Sequence, residues 1–126
     1  MKRIYLCGPI HGCDNKEAST WRERVKKNKG FDFVDPMRRD YRGIEDGNVK
    51  EIVELDKQDI LSCDAILVMY KKPSVGTSME IYFAWSLHIP VIVINESNGS
   101  ISPWLQYHAT EIFDNVFDAS VKLKDV

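Results

Sequence analysis

The sequence predicts one α/β domain, a doubly wound sheet of about five mostly parallel strands with helices on both faces. Three observations carry this. Short apolar, β-rich runs alternate with segments of helical period, the pattern of a parallel sheet covered by helices. Two of the runs, 65–69 and 90–94, are apolar throughout, as strands buried on both faces are. The 126 residues contain no linker, repeat or low-complexity segment, and a chain of this length buries roughly two-thirds of the surface its unfolded form exposes.

The elements follow in order. Ile4–Cys7 is the first strand. Asp14 to Lys27 is a helix, opened by Asp14 and Glu17 at capping-box spacing and carrying Ala18, Trp21 and Val25 on one face. Phe31–Val34 is a short strand, and Pro36 to Gly47 is a polar loop too long for a simple connection. Asn48 to Ser62 is a second helix, Ala65–Met69 a buried strand, Thr77 to Leu87 a third helix, and Pro90–Ile94 another buried strand. From Ser102 the tail gives a short helical piece, an edge strand around Glu111–Phe113, and a polar end. In this architecture ligands bind beyond the carboxyl ends of the strands. The loops to inspect are therefore 8–13, 35–47, 71–78 and 95–104.

Composition excludes several classes. Lys+Arg 17 against Asp+Glu 19 leaves a net charge of -2, without the basic footprint of a nucleic-acid or polybasic membrane binder. No run approaches the ~20 apolar residues of a membrane helix, and the apolar stretch near the N-terminus is too short for a signal peptide. Cys7, Cys13 and Cys63 are odd in number and hold no CxxC pair, which fits a reducing, cytoplasmic setting. The first loop, Gly8-Pro9-Ile10-His11-Gly12, has neither the P-loop nor the GxGxxG pattern, so an NTPase or an NAD-dependent dehydrogenase is not supported. Its two glycines still allow backbone N–H groups to approach an anion, and a plain tight turn is an equal reading. One His-x-Cys, His11 with Cys13, without a second cluster does not make a metal site.

Two carboxylates stand out. Val49, Ile52, Val53 and Ile60 form an apolar stripe on the second helix, and Asp56 falls inside it, facing the protein either as a hydrogen-bond anchor or as an acid of raised pKa. Asp59, at the edge of the stripe, reads as solvated or as a partner. Thr77 and Glu80 have capping-box spacing, which makes a helix cap the stronger reading of Glu80 from spacing alone. Two carboxylates facing one crevice are also able to divide nucleophile and acid roles.

Tyr5-Leu6-Cys7-Gly8-Pro9-Ile10, then Asp56 with Asp64, then Pro73-Ser74-Val75-Gly76-Thr77-Ser78-Met79-Glu80 resemble the nucleoside 2-deoxyribosyltransferase superfamily, in order, from Ile4 to about Trp104. The resemblance implies a flavodoxin-like fold and an enzyme without a cofactor or metal. It implies that Glu80 attacks the anomeric carbon to form a glycosyl-enzyme intermediate. It also implies that Asp56 helps to protonate the departing base and that Tyr5 lies beside the sugar and the nucleophile.

Branches of the superfamily differ at two places. Transferases of free nucleosides carry an Asp six residues before the nucleophile and a late Asn, often from a neighbouring subunit. This chain has Ser74 and, read without gaps, Ser102. Serines there resemble the deoxynucleoside 5'-monophosphate N-glycosidases, in which hydroxyls and first-loop amides hold the phosphate. A hydroxyl donates to a phosphate that a carboxylate would repel. By that resemblance Gly8, Pro9, Ile10, His11, Gly12, Ser74, Gly76 and Ser102 bind substrate, with Arg38, Arg39 and Arg42 adding charge or forming only an exposed basic loop. Pro9 departs from the monophosphate branch, which has Ser there, and removes an N–H donor. The expected partner is a small nucleoside or nucleotide, resolved by water or by a second base. A non-catalytic nucleotide-binding or sensing module is the alternative on the same fold, and nicotinamide-ribose cleavage is a remoter one. Trp104, Leu105 and Tyr107 either form an interface or dock on their own core. The short chain leads us to expect a homodimer or larger homo-oligomer, with the site completed by a neighbouring subunit.

Overall fold

Five strands, β1 (Lys2–Cys7), β2 (Phe31–Val34), β3 (Ala65–Tyr70), β4 (Val91–Asn95) and β5 (Glu111–Phe113), build one sheet in the computed structural model, which describes all of residues 1–126. The strand order is β2-β1-β3-β4-β5, and every pairing is parallel. This is the flavodoxin-like, doubly wound order. The helices are α1 (Asn15–Lys26), α2 (Val49–Leu61), α3 (Val75–Ser86), α4 (Pro103–His108) and α5 (Val116–Leu123), with a single 3-10 turn at Pro36–Arg38. No helix is long and apolar enough to cross a membrane.

Strand alternation divides the interior into two cores. Ile4, Leu6, Leu67, Met69, Ile92 and Ile94 face α1 and α5, where Trp21, Val25, Ala119 and Leu123 meet them. Tyr5, Cys7, Ile66, Val68, Val91 and Val93 face the other way, onto Ile60 of α2 and Ile81 and Ala84 of α3. Because side chains two residues apart share a face, Tyr5 and Cys7 of β1 point together toward α3.

The Asp14–Glu17 capping box opens α1 as predicted. Three expectations are corrected. The third helix begins at Val75 because Ser74, whose Oγ accepts from the Thr77 N–H at 3.4 Å, is its cap; Glu80 caps nothing. The polar end is a helix, α5: Asn115 caps it through the Asp118 N–H, and Ala119, Ser120 and Leu123 bury one face. The stripe on α2 is not sealed against the core. Val53, 44% exposed, borders an open cavity rather than the sheet, Val49 is 63% exposed beyond that cavity, and Ile60 at the far end enters the core.

Candidate active site

In this strand order β1 has β2 on one side and β3 on the other, so the topological switch lies between β1 and β3. A cavity of about 520 Å3 opens at their carboxyl ends. Loop residues Gly8, Ile10 and His11 form part of its wall, and Arg39 comes from the loop after β2. Ile52, Val53, Asp56 and Ile60 contribute from α2, and Ser74, Gly76, Glu80 and Phe83 from α3 and its N-cap. The wall is thus largely apolar, with a few convergent polar groups, as a small-molecule site requires.

Glu80 is the most constrained of these groups. The Tyr5 hydroxyl donates to Glu80 Oε2, and the Cys7 thiol lies 3.6 Å from Oε1 and donates to it. Burial pushes the Glu80 carboxyl up to about 7; the Tyr5 hydrogen bond opposes that shift and the nearby Asp56 adds to it. Tyr5 is fully buried, and burial together with Glu80 drives its phenol far above the ordinary range, so it serves as a neutral donor. Cys7 is raised for the same reasons and stays a thiol.

Asp56 is held more loosely. Burial pushes it up to about 6, against Arg39 and assisted by repulsion from Asp59. The Arg39 guanidinium lies 3.6 Å from Asp56 but is fastened to Asp59 at 2.6 Å, and Arg38 reaches the other oxygen of Asp59 at 2.8 Å. Asp59 is therefore the partner that orients the loop arginines. Arg42 is likewise occupied, by Asp40, Asn15 and the Cys13 carbonyl.

The cavity brings together Asp56, Glu80, Gly8, Ile10, His11, Arg39, Ser74 and Gly76, with Tyr5 directly behind Glu80. Pro9, Gly12, Arg38 and Ser102 do not line it. Gly12 takes the left-handed φ of +73° that turns the loop. Ser102 is exposed and caps α4, accepting from the Trp104 N–H at 3.1 Å. Gly8 has a steric reason to be glycine: a Cβ there would stand 2.7 Å from Cζ2 of the buried Trp21 ring. The Ser74 hydroxyl accepts a helix N–H and keeps its own proton free to donate.

Cys7 and Arg22 escaped the reading of the sequence. Both carried a signal, Cys7 by sharing the strand face of Tyr5, and Arg22 by lying four residues after Ala18 on the apolar face of α1.

The family model described as "Nucleoside 2-deoxyribosyltransferase" matches residues 4–119. No curated protein matches the sequence. Among solved structures, a 2-deoxyribosyltransferase from Bacillus psychrosaccharolyticus is similar at 18% identity and a TM-score of 0.78, covering 92% of this chain and 88% of that one. A conserved protein from Enterococcus faecalis V583 is similar at 20% identity and a TM-score of 0.62, covering 98% and 87% respectively. These two likenesses bear on the fold. The match of the family model across nearly the whole domain bears on descent, and on that ground the chain belongs to the nucleoside 2-deoxyribosyltransferase family.

Proposed function

We propose that this protein cleaves the N-glycosidic bond of a 2'-deoxynucleoside 5'-monophosphate, or of the 2'-deoxynucleoside itself, through a covalent glycosyl-Glu80 intermediate. The observation that carries the reading is a carboxylate freed from capping, held by Tyr5 and Cys7, and facing the same cavity as a second carboxyl, Asp56. An oxygen of Glu80 bonds to C1' as the C1'–N bond breaks. The bond pair leaves with the base, which takes a proton from the Asp56 carboxyl. Water then attacks C1', displaces Glu80 and returns a proton to Asp56. A second base in place of water gives deoxyribosyl transfer, with the proton of its ring nitrogen going to Asp56.

For this division of roles the pair must hold one proton, on Asp56. Glu80 has the higher of the two values, about 7 against about 6, so in the empty site the proton resides mainly on Glu80. The working form is the other tautomer of the pair, with Glu80 ionised and Asp56 protonated.

Support for the monophosphate comes from Ser74, with its free hydroxyl proton, and from the first loop. The N–H groups of Ile10 and His11 find no acceptor within the chain. Incubation with matched deoxynucleosides and 5'-monophosphates, with and without an acceptor base, tests this, with free base, sugar and exchanged nucleoside read by chromatography. Faster release from the monophosphate is expected. Preference for the nucleoside moves the protein to the transferase branch, and binding without release makes it a sensing module.

A second copy of the chain is the expected partner. Trp104 is 74%, Tyr107 71% and Tyr82 53% exposed, and they surround His108 beside the cavity, where Tyr82 itself forms part of the wall. Exposed aromatics of this kind are enriched at interfaces. Leu105, by contrast, docks on its own core. Light scattering is expected to give the mass of two or more chains, and a monomer at concentrations that support turnover contradicts it. Free Cys7, Cys13 and Cys63 together with a nucleotide substrate favour a cytoplasmic setting.

A further inference from the structure

A buried cation behind the cavity has no part in the chemistry above. Arg22 of α1 is fully buried and does not line the cavity. Its guanidinium lies over the Trp21 ring, 4.6 Å from the centroid, and donates to three main-chain carbonyls: Ala18, Leu6 at 3.3 Å and Gly8 at 3.0 Å. Nε has no hydrogen-bond partner and faces Asp35 Oδ1 at 3.5 Å. Asp35 follows β2 directly and caps the 3-10 turn, accepting from the Met37 N–H at 2.9 Å, while its other oxygen pairs with Lys26. One guanidinium is therefore joined to both polar loops of the site, the one after β1 and the one after β2.

Core stability alone is a poor explanation for this placement. Burying a guanidinium is costly, and a well-packed apolar side chain is often as stable there or more so. The Arg22 contacts instead set loop geometry. The Gly8 carbonyl is drawn inward, Pro9 has no N–H, and the next two N–H groups, at Ile10 and His11, are left without an acceptor at the cavity wall. A fixed positive charge directly behind such a loop also favours an anion in front of it.

We propose that Arg22 is a positioning residue for the anionic end of the substrate. It holds the Gly8–Gly12 loop with its N–H groups presented to a 5'-phosphate, and through Asp35 it keeps the second loop in register. The inference rests on the monophosphate reading given above.

The test is equilibrium binding by calorimetry in a Glu80→Gln background, where no turnover is expected, using a deoxynucleoside 5'-monophosphate and the matching deoxynucleoside. Arg22→Met is expected to weaken the monophosphate by about tenfold or more and to leave the nucleoside within about twofold, with Arg22→Lys between Met and Arg. Equal weakening of both ligands, or of neither, overturns the positioning role and leaves Arg22 as a core residue. Should Arg22→Met fail to fold, Asp35→Asn keeps the Gly8 contact and loosens the link to the second loop. It is expected to weaken the monophosphate selectively by a few-fold, and an unselective effect overturns the proposal. If Arg22 itself, unsubstituted, gives no preference for the monophosphate, the substrate reading fails and the inference with it. If that preference is present and survives Arg22→Met, only the inference fails.

Discussion

Glu80→Gln is expected to lower base release by at least ~10³-fold, about 4 kcal/mol of barrier, while substrate affinity changes by no more than a few-fold. Glutamine keeps the volume and an oxygen for the Tyr5 hydroxyl, but it lacks the charge that bonds to C1'. Single-turnover assays check this. The same substitution acts on stability in the opposite sense. Glu80 titrates at about 7 in the folded protein against an ordinary 4.5, so the folded state holds that proton more tightly. The stability this contributes is fully present below about pH 4.5 and is lost as pH rises through about 7. At pH 8 the variant is therefore expected to be more stable than the parent by ~1–3 kcal/mol, with the two converging near pH 5. Urea midpoints at the two pH values read this, and a variant less stable at pH 8 contradicts the account of a strained, buried nucleophile.

Asp56→Asn is expected to cost ~10²-fold or more in kcat for an unmodified purine, because the departing nitrogen loses its proton donor. A 7-methylated purine already carries a positive charge and departs neutral, so with that substrate the variant should approach the parent rate. The pH profile separates the roles further. In the parent the active form of the pair holds one proton, giving a bell whose limbs fall near 6 and 7, values that belong to the pair rather than to either residue. In the variant the descending limb disappears. The ascending limb, now set by Glu80 alone, stays near its place in the parent or moves slightly to higher pH, because across that limb Asp56 is already protonated and a neutral Asn replaces a neutral acid. An unchanged bell, or an equal loss with both leaving groups, removes Asp56 from the acid role.

Much of the architecture was legible because its signals are local. The strands β1, β3 and β4 each announce themselves by four or more consecutive apolar residues, and the Asp14–Glu17 box marks a helix start within four residues. Asp56 stood out because a carboxylate on an apolar stripe must face something other than bulk water, and the structure shows that this is the cavity. The nucleophile role proposed for Glu80 comes from the resemblance, since spacing favours a cap on Thr77. Ser74 takes that cap because the chain leaves β3 and turns into the helix three residues earlier. Long-range pairings were beyond local reading. Nothing near Arg39 in sequence indicates that Asp59, twenty residues on, will hold it beside Asp56. The helix α5 was overlooked although its buried positions, Ala119, Ser120 and Leu123, keep helical spacing, because they sit among lysines and aspartates that read as a polar end.

The central claim is the covalent bond to Glu80. A 2'-fluoro-arabinosyl nucleotide slows formation and breakdown of a glycosyl ester, because fluorine disfavours positive charge at C1', and intact mass spectrometry after an acid quench reads what accumulates. The account predicts release of base in a burst of about one per site, together with a protein heavier by one fluorinated sugar phosphate, located on the peptide that contains Glu80. A burst that leaves the protein unmodified, or a sugar found on any other residue, contradicts it.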